Sequence, residues 1–160
     1  MKRVLVAVED KYTARPLVAA MLARRWPMNT VFRTIHVLEP PPPVNLPPSY
    51  WESLKRYRAL MEISLKEIAD RLQNSVPSSI STAEILEGSP KQEIVVAAER
   101  LNADLIIMGS HGRRGLSRLL MGSVSRSVAS QAHCSVWIII PQSGIFENEI
   151  PQKQKSTSAV

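Results

Sequence analysis

The sequence predicts an α/β protein built on a single doubly wound sheet of five parallel strands, order 3-2-1-4-5, with helices on both faces. Three observations predict it. Val4-Leu5-Val6-Ala7-Val8 and Leu105-Ile106-Ile107-Met108 are continuous apolar runs of strand length, the pattern of strands covered on both faces. Five β-type runs alternate with four segments of helical period, and such alternation closes by right-handed crossovers into a parallel sheet. At 160 residues, 44% of them hydrophobic, the chain is long and apolar enough to bury one such core.

The first strand, Val4 to Val8, ends at acidic Glu9-Asp10. A helix follows from about Thr13, with Pro16 in its first turn, where a missing N–H is tolerated. Leu17, Ala20, Met21 and Ala23 give its buried side, Arg24-Arg25 close it and Trp26-Pro27 break it. The second strand spans roughly Val31 to Leu38. Six of the chain's twelve prolines then fall between Pro40 and Pro48, and four in a row impose a stiff, extended segment poor in donors. At the ligand-facing end of a parallel sheet this segment reads either as a lid or as a rigid spacer to the next helix.

Ser49 and Glu52 have the spacing of a capping box. The helix they would open runs to about Gln73, with Leu54, Tyr57, Met61, Leu65, Ile68 and Leu72 forming a core-facing stripe. A third strand covers about Ser81 to Leu86. Gly88-Ser89-Pro90 ends it and starts a helix, because Ser suits the N-cap and Pro the first helical position. Ile94, Val95, Ala98 and Leu101 line that helix's buried side. Asp104 precedes the fourth strand, Leu105 to Met108; the last helix runs from Ser123 to about Gln131, and the last strand is Ser135 to Ile140. Residues 1–141 thus form one domain, and the polar, aperiodic stretch 142–160 is expected to be a flexible tail.

Composition excludes several classes of function. No stretch approaches the roughly 18 apolar residues needed to span a bilayer. The start, MKRVLVAVED, is too short and too quickly acidic for a signal peptide, so a cytoplasmic location without membrane contact is expected. Cys134 is the only cysteine and has no metal-ligand spacing around it; it reads as a small apolar residue entering the last strand, and no metal site is expected from the protein alone. The net charge is +6, and residues 105–142 hold Arg113, Arg114, Arg118 and Arg126 but no Asp or Glu. A basic patch without interleaved aromatics suits a compact anion better than nucleic acid.

The same region carries the chemistry. Gly109, Gly112, Gly122 and Ser123 surround a basic loop between an apolar strand and a helix. Glycine lets backbone N–H groups approach a ligand, and a helix N-terminus leaves several N–H groups unpaired at the positive end of its dipole. In the predicted topology the strand order reverses between strands one and four. Ligands bind at strand carboxyl ends there, which puts Glu9 and the Gly109 loop on either side of one crevice.

In these residues, and most specifically in GSHGRRGLSRLLMGSVSRSV, the chain resembles the universal stress protein family, with the likeness running from Lys2 to Ile140. The resemblance implies a Rossmann-like domain that binds ATP, with magnesium as its companion ion. Carried over by position, Met108, Gly109, Gly112, Gly122, Ser123 and Val124 would surround ribose and phosphates, the backbone of Val37 would meet adenine, and Ala7 would line the base pocket. Many members have Asp where this chain has Glu9, so the carboxylate is one methylene longer; it reads as a ribose or metal contact, or as a solvated strand-end acid. Arg113, with Arg114, reads either as a bidentate phosphate ligand or as a solvated loop charge. His111 reads as a spacer. Proteins of this kind commonly form homodimers through the last strand, here Ser135 to Ile140, which would lie at a sheet edge.

The chain has no G-x-x-x-x-G-K-[ST] loop, no lysine near the glycine motif and no water-positioning carboxylate after strand four, so no catalytic residue is assigned. The expected function is that of a nucleotide-dependent regulatory protein. Two alternatives stand beside it: a slow ATPase or phosphotransferase using Arg113, Arg114 and a Glu9-bound metal, and a nucleotide-free dimeric interaction module working through the SVWIII edge.

Overall fold

The computed structural model describes residues 1–110 and 121–140. Its elements are β1 (Arg3–Ala7), α1 (Lys11–Leu22), β2 (Val31–Leu38), α2 (Pro48–Ser75), β3 (Ile80–Glu87), α3 (Pro90–Leu101), β4 (Leu105–Gly109), α4 (Ser123–Gln131) and β5 (Ser135–Ile139). The sheet has the order β3-β2-β1-β4-β5 and all its neighbouring pairs are parallel. β1 is therefore central, and its continuous apolar run follows from burial on both faces.

On one face Val4, Val6 and Val8 pack with Leu17, Val18 and Met21 of α1 and with Met61, Leu65 and Leu72 of α2. On the other, Leu5, Ala7, Ile106 and Met108 meet Ile94, Val95 and Ala98 of α3 and Val128 of α4. Period-2 alternation thus sends successive β1 residues into two separate cores. The α2 stripe is buried from Met61 to Leu72, but Leu54 and Tyr57 are only half-buried. The edges are β3 and β5, and on β5 the guanidinium of Arg24 lies over the Trp137 ring, 4.1 Å from its centroid.

Local chemistry moved two helix starts from their expected places. α1 begins at Lys11, not Thr13, because Asp10 caps it: Asp10 Oδ1 accepts from the Thr13 N–H at 2.8 Å, and Thr13 Oγ1 accepts from the Asp10 N–H at 3.1 Å. This reciprocal pair places Pro16 past the first turn, inside the helix, and Ala23 falls beyond its end and is exposed. In α2, Pro47 occupies the N-cap and Pro48 the first helical position, without a side-chain cap bond. Ser49 is inside the helix, its carbonyl accepting from Ser53 Oγ at 2.8 Å, so the Ser49–Glu52 capping box does not form. Ser89 and Pro90 do start α3 as expected, again without a side-chain cap bond. The expected tail, 142–160, lies outside the described residues.

Candidate functional site

The carboxyl ends of β1, β2 and β4 and the N-terminal parts of α2, α3 and α4 enclose a cleft of about 660 Å³, within the range of small-ligand sites. The reversal of strand order between β1 and β4 creates it, since α1 and α4 leave the sheet there toward opposite faces.

One end of the cleft is built from β4 and α4. Ser110, buried after β4, is held in line by its N–H, which donates to the Ile139 carbonyl at 3.0 Å. Its own carbonyl accepts from the Gly122 N–H at 2.9 Å and from Ser125 Oγ at 3.3 Å. Gly122 is the N-cap of α4, and a Cβ there would lie 2.6 Å from the Ser110 carbonyl oxygen, so this approach requires glycine. A Cβ on Gly109 would meet Thr13 at 3.7 Å, ordinary van der Waals contact. The first helical bond of α4 runs from the Arg126 N–H to the Gly122 carbonyl at 3.0 Å. The amides of Ser123, Val124 and Ser125 therefore precede the ladder, at the positive end of the helix dipole, and these three residues line the cleft.

The opposite end is apolar and aromatic. Val37 and Leu38 at the end of β2 face Ile94 of α3 and the α2 residues Tyr50, Leu54 and Tyr57, which share one helical face. None of Pro40–Pro48 lines the cleft, while Glu39 and Tyr50 on either side do; the proline segment spans between these two wall residues. Beneath them lies a buried polar relay. His36 Nδ1 is 2.9 Å from the Val8 carbonyl oxygen, which can only accept, so the proton sits on Nδ1. Nε2 is then an acceptor, and Tyr57 OH, 3.3 Å away, donates to it. Burial holds the His36 pKa below the usual histidine value, against opposing contributions from the Val8 hydrogen bond and the Asp10 charge.

Between the two ends lie Ala7, the last residue of β1, and Val8, Glu9 and Asp10 directly after it. Glu9 is exposed at the rim, yet the adjacent wall strips enough water from its carboxyl to raise its pKa, and the neighbouring Asp10 charge adds to the rise. Asp10 is buried and committed to the α1 cap. Among the described residues no three His, Cys, Asp or Glu side chains cluster to hold a metal ion.

Of the residues singled out from the sequence, Ala7, Glu9, Val37, Met108, Gly109, Gly122, Ser123 and Val124 line this one cleft. Gly112 and Arg113, like His111 and Arg114, lie outside the described residues. The sequence reading missed His36, Tyr50, Tyr57 and Ser110. A hydroxyl within the apolar stripe of α2 was the available signal, because a half-buried Tyr OH needs a partner.

The profile of the universal stress protein family matches residues 1–139. The chain belongs to that family. A universal stress protein of Thermus aquaticus is 30% identical over 139 residues, which cover 86% of this chain and 98% of that protein. One from Methanocaldococcus jannaschii is 52% identical over 56 residues, 35% of this chain, and the match spans only about a third (33%) of that relative's length. Among solved structures, a universal stress protein from Arabidopsis thaliana with AMP bound superposes with a TM-score of 0.62 at 18% identity, covering 89% of this chain and 94% of that one. A universal stress protein in complex with cAMP gives 0.54 at 20% identity, covering 86% and 95%. These superpositions show that this universal stress protein has the fold of its family. No helix among the described residues is long and apolar enough to cross a membrane.

Proposed function

We propose that this universal stress protein binds ATP in the cleft and acts as a nucleotide-dependent regulatory protein, its conformation or assembly biased by the ligand. The observation that carries the reading is the start of α4: Gly122 pressed on the Ser110 carbonyl aims the amides of Ser123, Val124 and Ser125 at the cleft, a ready anion site. The AMP and cAMP held by the two solved relatives support an adenine nucleotide as the anion's bearer. In this reading Met108, Gly109, Gly122, Ser123 and Val124 hold ribose and phosphates, joined by Gly112 and Arg113. Ala7 and the Val37 backbone meet the base. Magnesium would be carried chiefly by the phosphates, with Glu9 as the one protein carboxylate assigned to it.

Regulation, not turnover, is the proposed role because the sequence lacks the lysine and the water-positioning carboxylate that drive phosphoryl transfer. Mass spectrometry of small molecules released on denaturing freshly purified protein tests the reading. ATP present in the wild type and absent from Gly122→Val is expected; a wild type that is empty and also fails to bind added ATP overturns it. A homodimer through β5 belongs to the same proposal. The strand lies at a sheet edge, and Ile140 just beyond it is 65% exposed. Light scattering coupled to size exclusion is expected to give twice the chain mass, and Val136→Lys to give the monomer.

A further inference from the structure

The register of β1 against β2 leaves the backbone of Val37 beyond the last paired rung of the two strands. In β2 the odd-numbered residues face β1: the Val31 N–H donates to the Lys2 carbonyl at 2.8 Å, and the Ile35 carbonyl accepts from the Val8 N–H at 2.9 Å. The even-numbered ones face β3, as in the Gly88 N–H to Leu38 carbonyl bond at 3.1 Å. In a parallel ladder the next rung toward β1 would join the Val37 N–H to the Val8 carbonyl. The paired register instead stops at Ala7↔Ile35, and the Val8 carbonyl is taken by His36 Nδ1 at 2.9 Å. Val37 is left with its N–H and C=O directed to the β1 side past the last rung, where it lines the cleft.

We infer that His36 is a positioning residue for base selection: by capping the Val8 carbonyl it ends the β1–β2 ladder one rung early and frees the Val37 N–H and C=O to read a 6-aminopurine. The inference rests on the reading of the cleft as a nucleotide site and deepens it. A backbone donor beside a backbone acceptor complements adenine, whose N1 accepts and whose 6-amino group donates. It opposes hypoxanthine or guanine, whose N1–H donates and whose O6 accepts. Tyr57 fixes the arrangement, since its OH donates to Nε2 and keeps the proton on Nδ1, facing Val8. In His36→Leu the Val8 carbonyl loses its donor and the Val37 N–H can turn inward to it, closing the rung and removing the base-reading pair. In His36→Asn a side-chain N–H stands close to the place of Nδ1 and preserves the cap.

The test is calorimetric titration of the full chain with ATP, inosine triphosphate and inorganic tripolyphosphate. The wild type is expected to favour ATP over inosine triphosphate by roughly tenfold or more, the worth of one or two hydrogen bonds. His36→Leu is expected to bring that ratio near one while tripolyphosphate binding is unchanged, and His36→Asn to restore most of it. A ratio unchanged in His36→Leu, or an equal loss for all three ligands, overturns the assignment and leaves His36 as a core residue. A wild type that binds ATP and inosine triphosphate equally overturns the base pairing but leaves the nucleotide site standing; one that binds none of the three overturns the nucleotide reading itself. Should His36→Leu not fold, amide hydrogen exchange of the wild type decides. Protection of the Val37 amide by ATP but not by tripolyphosphate supports the inference, and exchange unaltered by ATP refutes it.

Discussion

Two glycines of one motif occupy different situations. At Gly122 a methyl group would collide with the backbone oxygen of Ser110 at 2.6 Å, and neither β4 nor α4 can move without disturbing the other. Gly122→Ala is expected to cost about 1–3 kcal/mol, the usual penalty of overpacking. At Gly109 the methyl meets only Thr13, at contact distance, so Gly109→Ala should stay within about 1 kcal/mol of the wild type. Urea unfolding midpoints of the two variants check the contrast, and equal losses would contradict it. His36 supplies a pH dependence. Burial lowers its pKa, so the folded state binds fewer protons there than the unfolded chain; its stabilising contribution is present above about pH 6.5 and is lost as pH falls through the depressed folded value. Asp10 from the start of α1 and Tyr57 from α2 are the groups facing it. The urea midpoint is expected to drop as pH falls from 7 toward 5, and His36→Asn to flatten that limb. Gly122 stood out in the sequence as part of a spaced motif. His36 did not, because its meaning depends on Tyr57, 21 residues away on another element.

At the scale of elements, α1 shows what sequence pattern can mislead about. Glu9 and Asp10 look alike as strand-end acids, but Asp10 is followed at the third position by Thr13, whose hydroxyl returns its hydrogen bond. Asp10→Ala is expected to cost about 1 kcal/mol through the lost cap, with Asp10→Asn recovering most of it. Thermal denaturation followed by circular dichroism measures both. In α2 the apolar period was legible and its start was not, because consecutive prolines took the cap and first-turn positions that Ser49 would have needed. The period still sorts the helix by energy. Leu65, 1% exposed, is expected to cost about 2–5 kcal/mol on truncation to Ala, and Leu60, 59% exposed, about 0.5 kcal/mol or less. Both ends of β2 and α4 lie where the sequence put them, since turn residues or a glycine bracket each.

For the whole molecule, the parallel sheet followed from alternation and handedness, and the crevice followed from the doubly wound order expected for such a sheet, which the structure has. The occupant of the crevice did not. Apolar runs dictate where strands lie, but which backbone groups are left unpaired at their ends depends on register, and register is a property of pairs of strands. A ligand that binds only the folded cleft must stabilise the entire domain by mass action. ATP at about 100 times its dissociation constant is expected to add roughly 2.7 kcal/mol, seen as a rise in melting temperature that Gly122→Val abolishes. The short bond between Ser110 and Gly122 also bears on how such a protein can be altered. That bond, 2.9 Å from nitrogen to oxygen, ties the carboxyl end of β4 to the N-cap of α4, so the start of the helix is positioned by the sheet. Substitutions that displace the end of β4 are therefore expected to displace the first turn of α4 with it, so that packing and the geometry of the cleft are lost together and not one at a time.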